Sequence, residues 1–175
     1  MERRVITALA VVFALPSLAH AAWINQTKED PFNGDVHLAI NAGPPGYALG
    51  FRCTNADDRT LVLVTPERAT DKADDPKIMN VMKPNLLVIV DKSEKLSFAA
   101  EVEAPDTGDR AATYTFSTGD PAISDLLQAI SAAKTRVAIA VEVLGKNFHS
   151  TIFDVSGSSR ALGGLVKACG LKPAP

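Results

Sequence analysis

Residues 47–65 read YALGFRCTNADDRTLVLVT. Tyr47, Leu49, Phe51 and Cys53 alternate with Ala48, Gly50 and Arg52, the period-two pattern of a strand with one face toward an apolar interior. The next stretch, TNADDRT, is rich in the Asn and Asp residues that close turns, and Leu61–Thr65 then runs apolar on both faces. Two strands joined by a short polar turn make an antiparallel hairpin, and the chain on either side repeats the pattern.

Upstream, Val36, Leu38 and Ile40 alternate with His37 on the polar phase, and NAGPPGY (41–47) makes a tight turn back into Tyr47. Downstream, LLVIV (86–90), the turn DKSEK (91–95) and KLSFAAEVE (95–103) predict a second hairpin. Leu96, Phe98, Ala100 and Val102 share its inward face, with Lys95, Ser97, Glu101 and Glu103 toward water. Tyr114 and Phe116 alternate more weakly. The runs at Leu61, Leu86 and Val137 (VAIAVEV) are apolar on both faces, which places them centrally in a sheet or beneath helices. Residues 67–85 are harder to read; a short helix is expected over Lys77–Met82, stopped by Pro84.

Two longer helices are expected. In GDPAISDLLQAISAAK (119–134), Asp120 suits the N-cap and Pro121 the first helical position, with Ile123, Leu126, Leu127 and Ile130 forming one stripe. A second begins near SGSSR (156–160), with Ser158 or Ser159 as cap and Leu162, Leu165, Val166 and Cys169 on one face. Gly163 and Gly164 each cost about 1 kcal/mol in a helix interior relative to alanine, so they imply close packing against the sheet or a bend. The expected fold is mostly β: an antiparallel sandwich or curled barrel-like sheet of eight or nine strands with two or three helices. A doubly wound parallel sheet is excluded, because helices do not alternate with strands.

The start of the chain predicts export. Glu2, Arg3 and Arg4 precede an apolar run from Val5 to Leu18, and Ala19, His20 and Ala21 fit a small-x-small cleavage site. Residues 1–21 therefore read as a secretory signal peptide and 22–175 as a single β-rich domain, with cleavage after Ala22 as the competing boundary. The run is short for a bilayer span and Pro16 interrupts it, and no later segment offers one. The expected location is the bacterial periplasm or the medium. Removing Arg3 and Arg4 against Glu2 moves the formal charge from −2 to −3, which argues against nucleic-acid binding. Cys53 and Cys169 lie in phase with apolar stripes by independent periodicities, so in an oxidising compartment they should meet as a disulfide tying the last helix to the sheet. Buried free thiols are the alternative.

Little in the sequence points to catalysis. His37 and His149 have no second histidine at ligand spacing, so no metal or other cofactor is expected. The serines of VSGSSR lack the Gly-x-Ser-x-Gly frame and read as helix caps, and neither NAGPPG nor GSSRALGG is a phosphate loop. The acids of NADD and DKADDP suit solvated turns. Lys134, Arg136, Lys146, Arg160 and Lys167 are interspersed with acids. Trp23 either nails the first strand to the core or stands as an exposed anchor; Trp23, Tyr47 and Arg160 are the candidates for an interaction surface.

Trp23, GFRC (50–53) and FDVSGSSRALGGLVKAC (153–169) together resemble the exported bacterial proteins of the invasion-associated locus B group and the related accessory proteins of type VI secretion systems. Phe153, Gly157, Ala161, Leu162, Leu165 and Cys169 match the strand-to-helix ending of that group, and Asp30 with Pro31 resembles its early turn. The extra cysteines common in the group are absent here, and residues 70–85 have no counterpart in it. The resemblance implies a β-rich, exported accessory or interaction protein with a protein partner in the envelope or outside the cell. A small-ligand or envelope-glycan binding module is the alternative, signalled by a pocket near Trp23, Tyr47 or Tyr114. A carboxylate-dependent hydrolase comes third; it would need two acids about 5–9 Å apart across a groove.

Overall fold

The hairpin at 47–65 lies at the centre of a six-stranded antiparallel sheet in the computed structural model, which describes residues 23–171 apart from 30, 33, 56–57, 69–74, 104–112 and 120–121, with the backbone alone at 67, 68, 75 and 113–116. The expected signal peptide and the positions of Asp120 and Pro121 lie outside the described residues. The elements in order are β1 (Ile24–Lys28), β2 (Val36–Ala42), β3 (Ala48–Cys53), β4 (Arg59–Arg68), α1 (Asp75–Val81), β5 (Asn85–Val90), β6 (Leu96–Ala99), β7 (Glu101–Glu103), β8 (Thr113–Thr118), α2 (Ile123–Ala132), β9 (Arg136–Val143), β10 (Lys146–Asp154) and α3 (Ser158–Ala168). The first sheet runs β1-β2-β3-β4-β8-β7 and the second β10-β9-β5-β6, every pair antiparallel. Neither sheet closes into a barrel, so of the two expected architectures the structure adopts the sandwich-like one.

One hydrophobic core joins both sheets to α2 and α3. The doubly apolar runs fall on β4, β5 and β9, each flanked by strands on both sides. The stripe Ile123, Leu126, Leu127 and Ile130 is buried, as are Leu162, Leu165 and Cys169, with Val166 half-buried. Cys53 and Cys169, 116 positions apart in sequence, form a disulfide with their Cα atoms 6.2 Å apart, tying the end of α3 to β3. Beyond β5, Asp91 adopts a left-handed backbone (φ 53°) and turns its carboxylate onto the start of β9. It accepts from the backbone N–H groups of Lys134 (2.9 Å), Thr135 (2.8 Å) and Arg136 (3.0 Å) and from the Thr135 hydroxyl (2.7 Å). The Thr135 hydroxyl first, then the three backbone donors, hold the Asp91 carboxyl well below the usual carboxylate range.

Three expectations are corrected. The alternating run 95–103 is not one strand: at Ala100 it passes from β6 of the second sheet to β7 of the first, with the inward phase kept at Phe98, Ala100 and Val102. No serine caps α3. Gly157 holds the N-cap position with φ 77°, Ser158 is buried in the first turn, and the Ser159 hydroxyl donates to the Ser131 carbonyl of α2 at 2.6 Å. The left-handed backbone of Gly157 calls for glycine, and a Cβ there would also lie a tight 3.3 Å from the Trp23 carbonyl oxygen.

The third correction concerns β2, whose phase is the reverse of the expected one. Ala39 and Asn41 are fully buried, while Val36, Leu38 and Ile40 lie on the opposite face and none of them is buried. His37 shares the inner phase, opposite Cys53, with a ring nitrogen 3.2 Å from the Thr27 hydroxyl. The reason is the element underneath. α3 packs on β1 and β2, close enough that a Cβ on its Gly164 would collide with the Asn25 amide. At the far end of β2, the ring of Phe153 fills the space beside Gly43, and the Asn41 amide donates to the Asp154 carbonyl at 2.6 Å. Only small or hydrogen-bonded side chains fit between β2 and these neighbours, so its large aliphatic residues turn outward.

Candidate functional site

The reversal of β2 gives the six-stranded sheet an unusual outer face. Pairing register puts Ile24, Ile40, Gly50, Val62, Ser117 and Glu101 in one row across β1, β2, β3, β4, β8 and β7. The adjacent row holds Gln26, Leu38, Arg52 and Thr60. Antiparallel sheets with one covered face usually carry polar residues on the other. Here Ile24 is 51% exposed, and Leu38, Ile40, Val62 and Val64 are partly exposed beside it. The half nearer β1 is thus aliphatic and the half nearer β7 polar.

The polar half is a groove of about 1290 Å³. Its floor is built from small side chains, Thr60, Val62, Ser117 and Gly119, with Ala99 and Ala100 at the corner where β6 becomes β7. Arg52 stands on one wall. Glu101 and Glu103, side by side on β7, stand on the other, joined by Asn80, Lys83, Pro84 and Asn85 from the α1–β5 junction. Asn80 fixes that wall: its side-chain oxygen accepts from the Val102 N–H at 2.7 Å and its amide donates to the Val102 carbonyl at 3.0 Å. One side chain thereby satisfies the β7 edge as a further strand would. Lys83 follows with φ 52°, the left-handed residue that ends α1 before Pro84. Arg52, Lys83, Glu101 and Glu103 are all exposed, and no ion pair joins them to one another among the described residues.

The sequence candidates are not brought together. Trp23 is only 2% exposed, its ring centroid 6.1 Å from that of Phe51 and its backbone N–H donating to the Ser156 carbonyl at 3.0 Å. It is a core residue, and its place among the interaction-surface candidates is withdrawn: it nails the start of β1 to β3 and the β10–α3 turn instead. Tyr47 is half-buried, edge-on to His149 at 6.4 Å. His149 lies in a bulge of β10 with φ 50°. Arg160 is exposed on α3. Tyr114 lies on β8, where only the backbone is described. Trp23, Tyr47, His149 and Arg160 are not among the residues that line the groove.

Among the described residues no three His, Cys, Asp or Glu side chains gather to hold a metal ion. Glu101 and Glu103 are neighbours on one face of one strand, about 7 Å apart along it. Both stand on the same wall, whereas glycoside cleavage sets its two carboxyl groups on either side of the scissile bond. A second, apolar groove of about 510 Å³ lies between α2 and α3, lined by Leu127, Ala132, Val166 and Leu171. Among the described residues no helix is long and apolar enough to cross a membrane. Compared with protein-family models, with curated proteins and with solved structures, the chain matches none.

The charged groove was not visible in the sequence. In the sequence Arg52, Glu101 and Glu103 stand only on the solvent phase of their strands, and nothing local says that β3 and β7 lie in the same sheet.

Proposed function

We propose that this is an exported, non-enzymatic accessory protein of the bacterial periplasm or medium, distantly akin to the invasion-associated locus B group, which binds a protein partner across the outer face of its six-stranded sheet. The observation that carries this is the aliphatic row Ile24, Ile40 and Val62, with Leu38 beside it, on a face where solvated side chains would be expected. A contiguous aliphatic patch rimmed by charge is the usual composition of a protein contact. The buried disulfide supports an oxidising compartment, and the N-terminal pattern Arg3, Arg4, apolar run, Ala19 to Ala21 supports export. A small-ligand or glycan module is less well supported: the groove is wide, and no aromatic residue is among its described lining.

The test is co-purification. The protein is tagged at its C-terminus, expressed in the bacterium that encodes it, crosslinked in the intact envelope and isolated under denaturing conditions. One stoichiometric protein partner is expected, lost from the Leu38→Lys/Ile40→Lys variant. A partner that the variant retains moves the contact off this face, and no partner above background contradicts the proposed role.

A further inference from the structure

The groove has a polarity that narrows what it binds. Arg52 is on β3 and Glu101 and Glu103 are on β7, with β4 and β8 between them. Three strand spacings of about 4.8 Å separate the two walls by roughly 14 Å. That is too far for the side chains to pair, and the floor between them is small and uncharged: Thr60, Val62, Ser117 and Gly119. Lys83 on the acidic wall offsets one of its two carboxylates, leaving that wall with one net negative charge against the positive charge of Arg52.

We infer that this groove takes an extended peptide stretch crossing the strands, with an acidic and a basic side chain about four residues apart. The assignment rests on the proposed role in protein binding and specifies the partner segment. An extended chain advances about 3.4 Å per residue, so four residues span the groove. Residues i, i+2 and i+4 of such a chain point the same way. The acid at one end meets Arg52, the base at the other meets Glu101 and Glu103, and the residue between them rests on Val62 and Ser117. That middle position therefore takes a small or β-branched aliphatic side chain. Charge complementarity at both ends fixes the register of the peptide, while the aliphatic row beyond Gly50 remains available to the rest of the partner.

The test uses three fluorescein-labelled heptapeptides with blocked termini and the full mature protein, read by fluorescence anisotropy at low salt. The first, Gly-Asp-Ala-Val-Ala-Lys-Gly, carries the mixed pair; the others carry two Asp or two Lys at the same positions. The mixed peptide is expected to bind about tenfold more tightly than either control. The Arg52→Glu variant should come to prefer the two-Lys peptide, and the Glu101→Lys/Glu103→Lys variant the two-Asp peptide. All three side chains are exposed, so unchanged melting curves will show that the variants fold. Equal binding of the three peptides, no binding of any, or a ranking unchanged by Arg52→Glu would overturn the assignment. If the assignment fails while the crosslinked partner is still lost from Leu38→Lys/Ile40→Lys, the protein-binding role survives with a different occupant. If sedimentation shows self-association abolished by Arg52→Glu, the occupant is a second copy and the peptide assignment falls.

Discussion

Two residues carry more of the fold than their size suggests, and each gives a prediction. Asp91 gathers three backbone N–H groups and one hydroxyl at the junction of β5 and β9, and those donors favour its charged form. Its carboxyl therefore loses its proton more readily in the folded chain than in the unfolded one, where an Asp titrates at about pH 3.9. The stabilisation is complete above that pH and is lost as pH falls below it, because the unfolded state then binds the extra proton. Asp91→Asn should lower the urea midpoint at pH 7 and flatten its decline between neutral and acid pH; an acid limb as steep as that of the wild type would refute this. Gly157 is the second residue. Alanine there meets both the left-handed backbone and the Trp23 carbonyl, so Gly157→Ala should cost about 1–3 kcal/mol, read as a lower melting temperature. The motif around Gly157 was legible as a helix start, but its serines concealed the real cap. A Ser-rich stretch before an apolar stripe looks the same whether a hydroxyl caps the helix or a left-handed glycine turns into it.

At the scale of elements, burial and phase are separate questions, and sequence answers the second only when one phase is plainly more apolar. For β3 it is: Leu49, Phe51 and Cys53 are buried as their alternation requires. The α3 stripe is equally plain, which is why the Cys53–Cys169 bridge could be read from two independent periodicities. In β2 the rule points the wrong way, since the inner positions are Ala39 and Asn41 and the outer ones Leu38 and Ile40. What decides the phase is the space beneath α3 and Phe153, which no local pattern encodes. The break between β6 and β7 is hidden for a related reason, because alternation continues unbroken through Ala100 as the chain changes sheets. Leu38→Lys/Ile40→Lys should therefore change stability by less than about 1 kcal/mol, whereas Ala39→Leu should overpack the interior and cost about 1–3 kcal/mol; denaturant titration separates the two. The bridge makes its own prediction. The unreduced, denatured protein should show no free thiol, and reduction should lower stability by roughly 2–5 kcal/mol, given the 116-residue separation it spans.

For the whole molecule, the two sheets and α2 and α3 bury one common core, while the six-stranded sheet keeps an outer face whose composition suits a contact better than water. Fold class, the paired cysteines and the positions of the helices were legible because each depends on local period. The face and its groove were not, because they arise from register among strands far apart in sequence: Ile24, Ile40, Val62 and Glu101 share a row only once β1, β2, β4 and β7 are placed. The central claim, that this face is where a protein partner sits, is tested most directly by site-specific photo-crosslinking in living cells. A photoreactive amino acid is placed singly at Leu38, Ile40 or Val62 on the face, and at Lys92 in the turn after β5 or Lys146 beside the β9–β10 turn as controls. Discrete adducts of one size are predicted from the three face positions and none from the two turns. Adducts from the turns alone, or an equal smear from all five positions, would contradict the claim.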